Sequence, residues 1–214
     1  YTTQVSMHLF GMLDTESFKR AWRFIVSRHD VFRTCFVDFD REDIHQLVVD
    51  RVELSFHEED WRSVVVEDQF ERLEQYRSDD KARGFDFTHP PLMRLSLIRL
   101  SDERYHFIWS HHHVLLDGWC TPLVFGEIVE AYRAYSAGGE HPAFADVVAY
   151  EHYIGWLQSR DETNARAFWQ EHLAGIETPT PLIVDKLPVD AMITGLREST
   201  LTFSVEVSQQ LKCL

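Results

Sequence analysis

Positively charged residues are scarce in this sequence. It contains 21 lysines and arginines against 35 aspartates and glutamates, so its formal net charge is −14 at pH 7. Proteins that bind nucleic acid neutralise the phosphates mainly with lysine and arginine, and nucleic acid is therefore not an expected partner. The acidic excess favours solubility but does not identify a substrate.

Long apolar runs and paired cysteines are also lacking. No stretch approaches the roughly 20 apolar residues that a transmembrane helix needs, and residues 1–10 lack the features of a secretory signal. The three cysteines, Cys35, Cys120 and Cys213, are far apart in sequence and leave one unpaired. This usage favours a reducing compartment, so we expect a cytoplasmic location and no membrane partner.

The composition is that of an ordinary globular protein. Apolar residues make up 44% of the 214 residues, enough for one domain or one large lobe with a well-packed core. Strand and helix patterns alternate, which predicts an α/β fold. Strands are expected at residues 5–10, 31–39, 46–56, 92–100, 105–109 and 201–207, and helices at residues 14–29, 63–83, 122–135, 144–158 and 162–173, with another starting at Ser208. Asp14 is expected to cap the first helix, and the apolar spacing from Phe18 to Val26 predicts that one face of this helix lies in the core. Phe70 and Leu73 predict a similar buried stripe on the second helix.

The last 40 residues differ in character from the rest of the chain. Residues 176–188 contain three prolines, which predicts an extended linker, and the sequence stops inside an expected element. We therefore expect an N-terminal lobe over residues 1–175. Over residues 176–214 we expect a linker and the start of a second, truncated lobe.

Residues 110–120 (SHHHVLLDGWC) are the most informative segment, because an apolar strand runs directly into three histidines. Histidine is the side chain best suited to transfer protons near neutral pH. If the strand continues, His111 and His113 share one face and His112 takes the other. Metal sites usually draw ligands from separated positions, so we predict no metal site here. A hydrogen-bonded structural role remains the interpretation for His111 and His112.

Three residues that follow the histidines have alternative roles. Asp117 can act as a second base or fix the loop through an ion pair. Gly118 can permit a tight turn or bring its backbone N–H close to a ligand. Trp119 is expected to serve packing rather than recognition of a ligand. The combination of His113 with Asp117 and Gly118 favours a function over a purely structural histidine.

The pattern formed by His112, His113, Asp117 and Gly118 resembles the HHxxxDG signature of the acyltransferase superfamily. That superfamily includes chloramphenicol acetyltransferase, the dihydrolipoamide acyltransferases and the condensation domains of nonribosomal peptide synthetases. Further segments resemble the condensation domains in order and spacing along nearly the whole chain. They are residues 28–36 (RHDVFRTCF, with Phe where the family has Leu), 85–87 (FDF), 91–94 (PLMR), 144–150 (FADVVAY, with Phe for Tyr and Tyr for Trp), 168–169 (FW) and 173–175 (LAG).

The resemblance implies a chloramphenicol acetyltransferase-like α/β lobe with a mixed β-sheet flanked by helices. The family's domain has two such lobes with a tunnel between them, and this sequence corresponds to most of the first. The implied reaction joins a donor acyl or peptidyl thioester to an acceptor aminoacyl thioester in nonribosomal peptide synthesis. No cofactor is expected to bind directly, because partner carrier proteins carry the phosphopantetheine arms. Implied partners are the donor and acceptor peptidyl carrier proteins, an adjacent adenylation domain and the missing C-terminal lobe.

The resemblance also implies the roles of individual residues. His113 matches the family's catalytic histidine, acting either as a base or as a group that positions the amine, and Gly118 is expected to contribute its N–H. His112 is expected to support the turn. An ion pair between Asp117 and Arg33 is expected to brace the loop, because a guanidinium can meet a carboxylate with two hydrogen bonds.

Two other functions share part of this chemistry. A stand-alone acyltransferase that uses a coenzyme A thioester would have the same central motif, but residues 28–36 and 144–150 argue against it. A non-catalytic lobe that docks carrier proteins is the other alternative, and the isolated 214 residues need not be active on their own. Epimerisation and cyclisation domains of the superfamily match the central motif less well.

Overall fold

The computed structural model describes residues 1–40, 44–140, 142–178 and 201–213. The chain divides into two compact units, Tyr1–Arg160 and Asp161–Leu214, and each is described by itself. The expected lobe boundary at residue 175 stays a prediction. Most of the expected linker at residues 176–188 lies outside the described residues.

The first unit is built on a mixed β-sheet. Its strands are β1 (Thr2–Phe10), β2 (Thr34–Val37), β3 (His45–Val48), β4 (Phe56–Asp60), β5 (Met93–Ser101) and β6 (Arg104–His112). The main sheet has the order β1-β6-β5-β4, in which β6 is antiparallel to both neighbours and β4 is parallel to β5. The other two strands, β2 and β3, form a separate antiparallel pair.

Helices cover both faces of this sheet. The first unit contains α1 (Thr15–Arg28), α2 (Val66–Ala82), α3 (Cys120–Ser136) and α4 (Tyr150–Gln158), and the second contains α5 (Thr163–His172) and α6 (Val205–Lys212). Asp14 begins α1 as predicted, because its carboxylate accepts the N–H of Ser17 at 3.1 Å. Within the described ranges, no helix is long and apolar enough to cross a membrane.

Alternation along the central strands creates two cores. Phe107 and Trp109 on β6 point towards α1 and α3, where they contact Trp22 at ring-centroid distances of 5.5 and 5.1 Å. Ile108 points to the opposite face and packs in a second core with Leu73 of α2. Since β6 is buried on both sides, the position of its C-terminal end is fixed by packing.

Three expected strands differ from the structure. Residues Asp30–Arg33 form a 3₁₀ turn instead of the start of a strand, because Asp30 bonds Arg33 through its side chain and Thr34 through its carbonyl. Of the expected strand at 46–56, only residues 46–48 pair with β2, as part of β3, while Phe56 begins β4 in the other sheet. The expected strand at 201–207 is wrong, since Ser204 caps α6.

The buried face of α2 also differs from the expected apolar stripe. Phe70 is 73% exposed, whereas Gln69 is buried. The Gln69 amide donates to the carbonyls of Trp61 and Leu100, at 3.1 Å each. This polar side chain takes a core position because it satisfies backbone carbonyls at the ends of β4 and β5.

Candidate active site

The HHxxxDG segment forms the connection between β6 and α3. The backbone N–H of His112 donates to the carbonyl of Leu92 at 2.9 Å, and the N–H of Leu115 donates to the carbonyl of His112 at 3.1 Å. Leu115 and Leu116 are buried in the core under α1 and α3. A hydrogen-bonded turn and two apolar anchors therefore hold the segment against the sheet.

His111 is a core residue. Its side chain is 2% exposed and lies against the indole of Trp109, with ring centroids 4.5 Å apart. Burial lowers the pKa of His111 to about 4, so the ring is neutral near pH 7. His111 thus lies in the core as expected, but its Nδ1 is buried without a hydrogen-bond partner among the described residues, so the expected hydrogen-bonded role is not seen.

His112 points to the other face of the sheet. Its Nδ1 accepts the backbone N–H of Val114 at 3.1 Å, and its ring meets Phe87 edge-on at 4.5 Å. Burial lowers the pKa of His112 below its usual range. The turn-supporting role stays a prediction, and these contacts are those that such a role requires.

His113 lies just beyond the last residue of β6, so strand alternation does not determine its direction. Its backbone N–H donates to the carbonyl of Tyr1 at 2.9 Å. Its Nδ1 lies 2.7 Å from the carbonyl oxygen of Leu116. A carbonyl can only accept, so Nδ1 carries a proton, and in the neutral ring Nε2 then has a free lone pair. The exposed ring is therefore held in the tautomer that can accept a proton at Nε2.

Asp117 organises the entry to α3. Its carboxylate accepts the backbone N–H groups of Trp119 at 3.0 Å and of Cys120 at 3.1 Å. Hydrogen bonds from the side chain and backbone of Cys120 lower the pKa of Asp117. The carboxylate thus satisfies N–H groups at the start of a helix.

The expected ion pair between Arg33 and Asp117 is not formed, although both residues are described. Arg33 instead meets Asp30 at 2.6 Å and donates to the carbonyls of Val49 and Asp50. The 3₁₀ turn brings Asp30 to the guanidinium, while Asp117 is engaged by backbone N–H groups of its own loop. The pairing expected from the sequence is therefore corrected: Arg33 braces the β2–β3 region.

Gly118 and Trp119 leave an open surface at the end of the segment. A Cβ at Gly118 would meet no atom of the chain within 4 Å, and the residue does not adopt a positive φ. The fold of the described residues therefore does not require glycine there. Trp119 is 84% exposed, so the packing expected for its side chain is not formed within the described residues.

Two supporting groups had no signal in the sequence. The carbonyl of Leu116, a backbone atom, determines the tautomer of His113. Asp80 on α2 accepts a hydrogen bond from Ser110, the residue immediately before the histidines. An aspartate in a charged helical stretch gives no local indication of burial. Across the described ranges, no group of three or more His, Cys, Asp or Glu residues is placed to hold a metal ion.

Comparison with known proteins assigns the family. A model of the condensation domain family matches residues 1–214. The chain belongs to the condensation domain family. A linear gramicidin synthase protein of Brevibacillus parabrevis is 37% identical over 213 residues, which are 99% of this chain and 3% of that protein. Bacitracin synthase 3 of Bacillus licheniformis is 33% identical over 213 residues, again 99% of this chain and 3% of the relative. This condensation domain chain therefore spans a small part of the curated relatives that it matches.

Solved structures support the fold class. The starter condensation domain of rhizomide synthetase RzmA, in a mutant form, aligns with a TM-score of 0.76 and 19% identity, covering 88% of this chain and 43% of that one. The complex of the X-domain and OxyB from teicoplanin biosynthesis aligns with a TM-score of 0.67 and 27% identity, covering 85% and 40%. The expected fold, one α/β lobe of a two-lobe condensation domain, is confirmed.

Proposed function

We propose that this chain contributes the catalytic histidine of a peptide-bond-forming condensation domain in nonribosomal peptide synthesis. The observation that carries the proposal is the 2.7 Å contact between Nδ1 of His113 and the carbonyl of Leu116. It leaves Nε2 of this exposed residue able to accept a proton. Gly118, where the fold itself does not require glycine, belongs to the same HHxxxDG segment.

The proposed reaction is an acyl transfer between two thioesters. The amine of an acceptor aminoacyl thioester attacks the carbonyl carbon of a donor thioester, so a C–N bond forms and the donor C–S bond breaks. One proton leaves the amine and one is gained by the departing thiolate. Because a thioester is already activated, no covalent intermediate with the enzyme is needed, and holding the two reactants together lowers the barrier.

His113 is the residue assigned to the proton in this reaction. Its Nε2 can accept the proton as the amine attacks and return it to the thiolate, or accept a hydrogen bond that orients the amine. Both roles need the proton on Nδ1, which the Leu116 carbonyl holds there. His112, whose Nδ1 is occupied by the N–H of Val114, is assigned to support of the turn.

Gly118 is assigned the role of letting the thioester come close to the backbone of the loop. Its backbone N–H makes no hydrogen bond within the described ranges, so it is available to the oxygen of the tetrahedral intermediate. Asp117 supports this arrangement because its carboxylate accepts the N–H groups of Trp119 and Cys120 and leaves that of Gly118 unbonded. Arg33 is assigned to structural support through Asp30.

The proposed substrates arrive on carrier proteins. The relatives are synthases many times longer than this chain, a length that fits several catalytic and carrier domains. We propose that donor and acceptor carrier proteins carry the phosphopantetheine arms. The other proposed partners of this chain are an adjacent adenylation domain and the second lobe of the condensation domain. No tightly bound cofactor is assigned to the chain, and a cytoplasmic location fits this function.

Docking of another protein without catalysis is a second candidate. The X-domain neighbour was solved as a complex with OxyB, which shows that one protein of this fold binds a partner through such a domain. The complete HHxxxDG segment of the present chain favours catalysis instead. Since both functions involve binding a partner, only turnover distinguishes them.

The test uses the condensation domain that carries this chain at full domain length. An acylated donor carrier and an aminoacylated acceptor carrier are mixed with it, and mass spectrometry follows the mass of the acceptor. The domain should transfer the acyl group, and His113→Ala should lose about 10²–10⁴-fold in rate. His89→Ala, which changes an exposed histidine outside the HHxxxDG segment, is the matched control.

The outcomes separate the candidates. Transfer that depends on His113 supports peptide-bond formation with a catalytic histidine. Equal rates in wild type and His113→Ala would contradict the assignment of His113. Binding of carrier protein with no transfer, for several donor and acceptor pairs, would favour docking. Transfer from acyl-coenzyme A but from no carrier would favour the stand-alone acyltransferase.

A further inference from the structure

A small apolar cavity lies beside the HHxxxDG segment, between the 3₁₀ turn and the first turns of α3. Its volume is about 200 Å³. We call it the Leu116 cavity, and its lining residues are His29, Val31, Phe32, Leu116, Cys120, Leu123, Val124 and Glu127. Nearly all of the lining surface is apolar.

The cavity shares two residues with the catalytic loop. Leu116 lines the cavity, and its carbonyl binds Nδ1 of His113. The backbone N–H of Cys120, another lining residue, donates to Asp117. A group in the cavity would therefore contact residues of the same loop that holds His113 and Asp117.

The polar residues of the wall do not demand a charged ligand. His29 and Glu127 pair with each other, with Nε2 and Oε2 2.6 Å apart, and Arg28 also approaches Glu127 at 3.4 Å. The wall therefore has no uncompensated charge for a ligand to neutralise. Leu123 is 71% exposed, which leaves an apolar side chain at the edge of the cavity.

The size of the cavity restricts its occupant. Sites for complete small-molecule ligands measure roughly 300–1,000 Å³, so this cavity is too small for an aminoacyl-pantetheine group as a whole. It suits one apolar side chain. We infer that the Leu116 cavity is a specificity pocket that binds the branched aliphatic or aromatic side chain of one of the two thioester substrates. This inference rests on the function proposed above.

Competition between side chains tests the inference in the full-length domain. Alanyl, leucyl and phenylalanyl groups are loaded first on the donor carrier, with the acceptor fixed as alanyl, and then on the acceptor carrier, with the donor fixed. In one of the two arrangements, kcat/KM should favour leucyl or phenylalanyl over alanyl by at least tenfold, because each methylene in an apolar pocket contributes about 10–200-fold.

Variants of Val31 then change the size of the cavity. Val31→Phe narrows it and should reduce the preference for the larger side chain at least tenfold, while alanyl is still transferred. Val31→Ala widens it and should shift the preference from leucyl towards phenylalanyl. Val66→Phe, the same change at a 62% exposed position on α2, should leave the preference unchanged.

A binding measurement separates failure of this inference from failure of the proposed function. Titration with leucine and alanine N-acetylcysteamine thioesters should show tighter binding of the leucine probe, and Val31→Phe should abolish the difference. Selective binding without any turnover would keep the pocket and overturn peptide-bond formation. Turnover with no side-chain preference in either arrangement, or a preference unaffected by both Val31 variants, would overturn the pocket.

Discussion

Asp80 on α2 forms a buried ion pair with Arg94 on β5, with Oδ1 and Nε 2.8 Å apart. The carboxylate is 3% exposed and also accepts hydrogen bonds from Ser110 and Arg83. Arg94 donates in addition to the carbonyls of Asp80 and Gly84. One carboxylate thus joins α2 to β5 through Arg94 and to β6 through Ser110, the residue immediately before the three histidines.

Replacement of Asp80 should destabilise the domain severely. Asp80→Ala leaves Arg94 without its partner, and loss of one member of a buried pair typically costs about 3–5 kcal/mol. Urea unfolding of the full-length domain would measure the loss. Asp79→Ala, the exposed neighbour on the same helix, should change the free energy of unfolding by less than about 0.5 kcal/mol. Similar losses in the two variants would contradict the role of the pair.

Stability should fall as the pH drops below 6.5, and His111 should contribute to the fall. Burial lowers the pKa of His111 from 6.5 to about 4. Between pH 6.5 and pH 4, the histidine is therefore protonated in the unfolded chain but neutral in the folded chain, which favours unfolding. At about 1.36 kcal/mol per pH unit, this difference lowers the free energy of unfolding by about 2 kcal/mol at pH 5 relative to pH 7.5. Urea unfolding of His111→Phe should show a smaller loss between pH 7.5 and pH 5.

The control for this titration is His89→Phe, because the side chain of His89 is 80% exposed. That variant should keep the pH dependence of the wild type. At more acidic pH we expect a second loss of stability, from Asp80. Burial raises the pKa of Asp80, but hydrogen bonds from Arg94 and Ser110 outweigh this effect, so its pKa lies below the usual 3.8. The stability that this carboxylate contributes is present above pH 4 and is lost as the pH falls through the lowered pKa.

Gly118→Ala should separate folding from activity. The added methyl group meets no atom of the chain within 4 Å and needs no unusual backbone angle, so the free energy of unfolding should stay within about 0.5 kcal/mol of wild type. Transfer between carriers should fall, because the methyl group obstructs the approach of the thioester. Full activity in a folded Gly118→Ala domain would argue against the proposal that the thioester comes close to Gly118.

Gly138→Ala provides the opposite behaviour for comparison. Gly138 follows α3 with φ of 84°, a conformation that costs a residue with a Cβ about 1–2 kcal/mol. This variant should lose stability in urea unfolding and keep the transfer rate at temperatures where it is folded. The pair of glycine variants thus distinguishes a backbone requirement from a substrate requirement.

Arg33 and Asp117 should behave as independent residues. Because they are not paired in the structure, the melting-temperature losses of Arg33→Ala and Asp117→Ala should add in the double variant. Arg33→Ala and Asp30→Ala should not add, since these two side chains form an ion pair at 2.6 Å. Asp117→Asn keeps an acceptor for the N–H groups of Trp119 and Cys120 and should lose less than Asp117→Ala. Non-additive losses for Arg33→Ala and Asp117→Ala would contradict this prediction and support the ion pair expected from the sequence.

Local patterns predicted the elements whose burial repeats with a regular period. The apolar spacing from Phe18 to Val26 and the cap at Asp14 predicted α1, and an unbroken apolar run predicted β6. The same reasoning failed where a polar group has a tertiary partner. Phe70 was expected in the core and is exposed, while the polar residues Gln69 and Asp80 are buried. Three of their partners, Leu100, Arg94 and Ser110, are 14 to 31 residues away in sequence and belong to other elements, so no local pattern could indicate these contacts.

The sequence by itself determined the family and the fold class and located the HHxxxDG segment, because all three depend on residue types at short, fixed spacings. Only the tertiary structure decided the state of the individual groups. It fixed the tautomer of His113 through the Leu116 carbonyl, moved Arg33 from Asp117 to Asp30, and left Gly118 open. Hydrogen bonds and burial depend on where backbone atoms of separate elements meet, and that geometry exists only after the sheet and helices have packed.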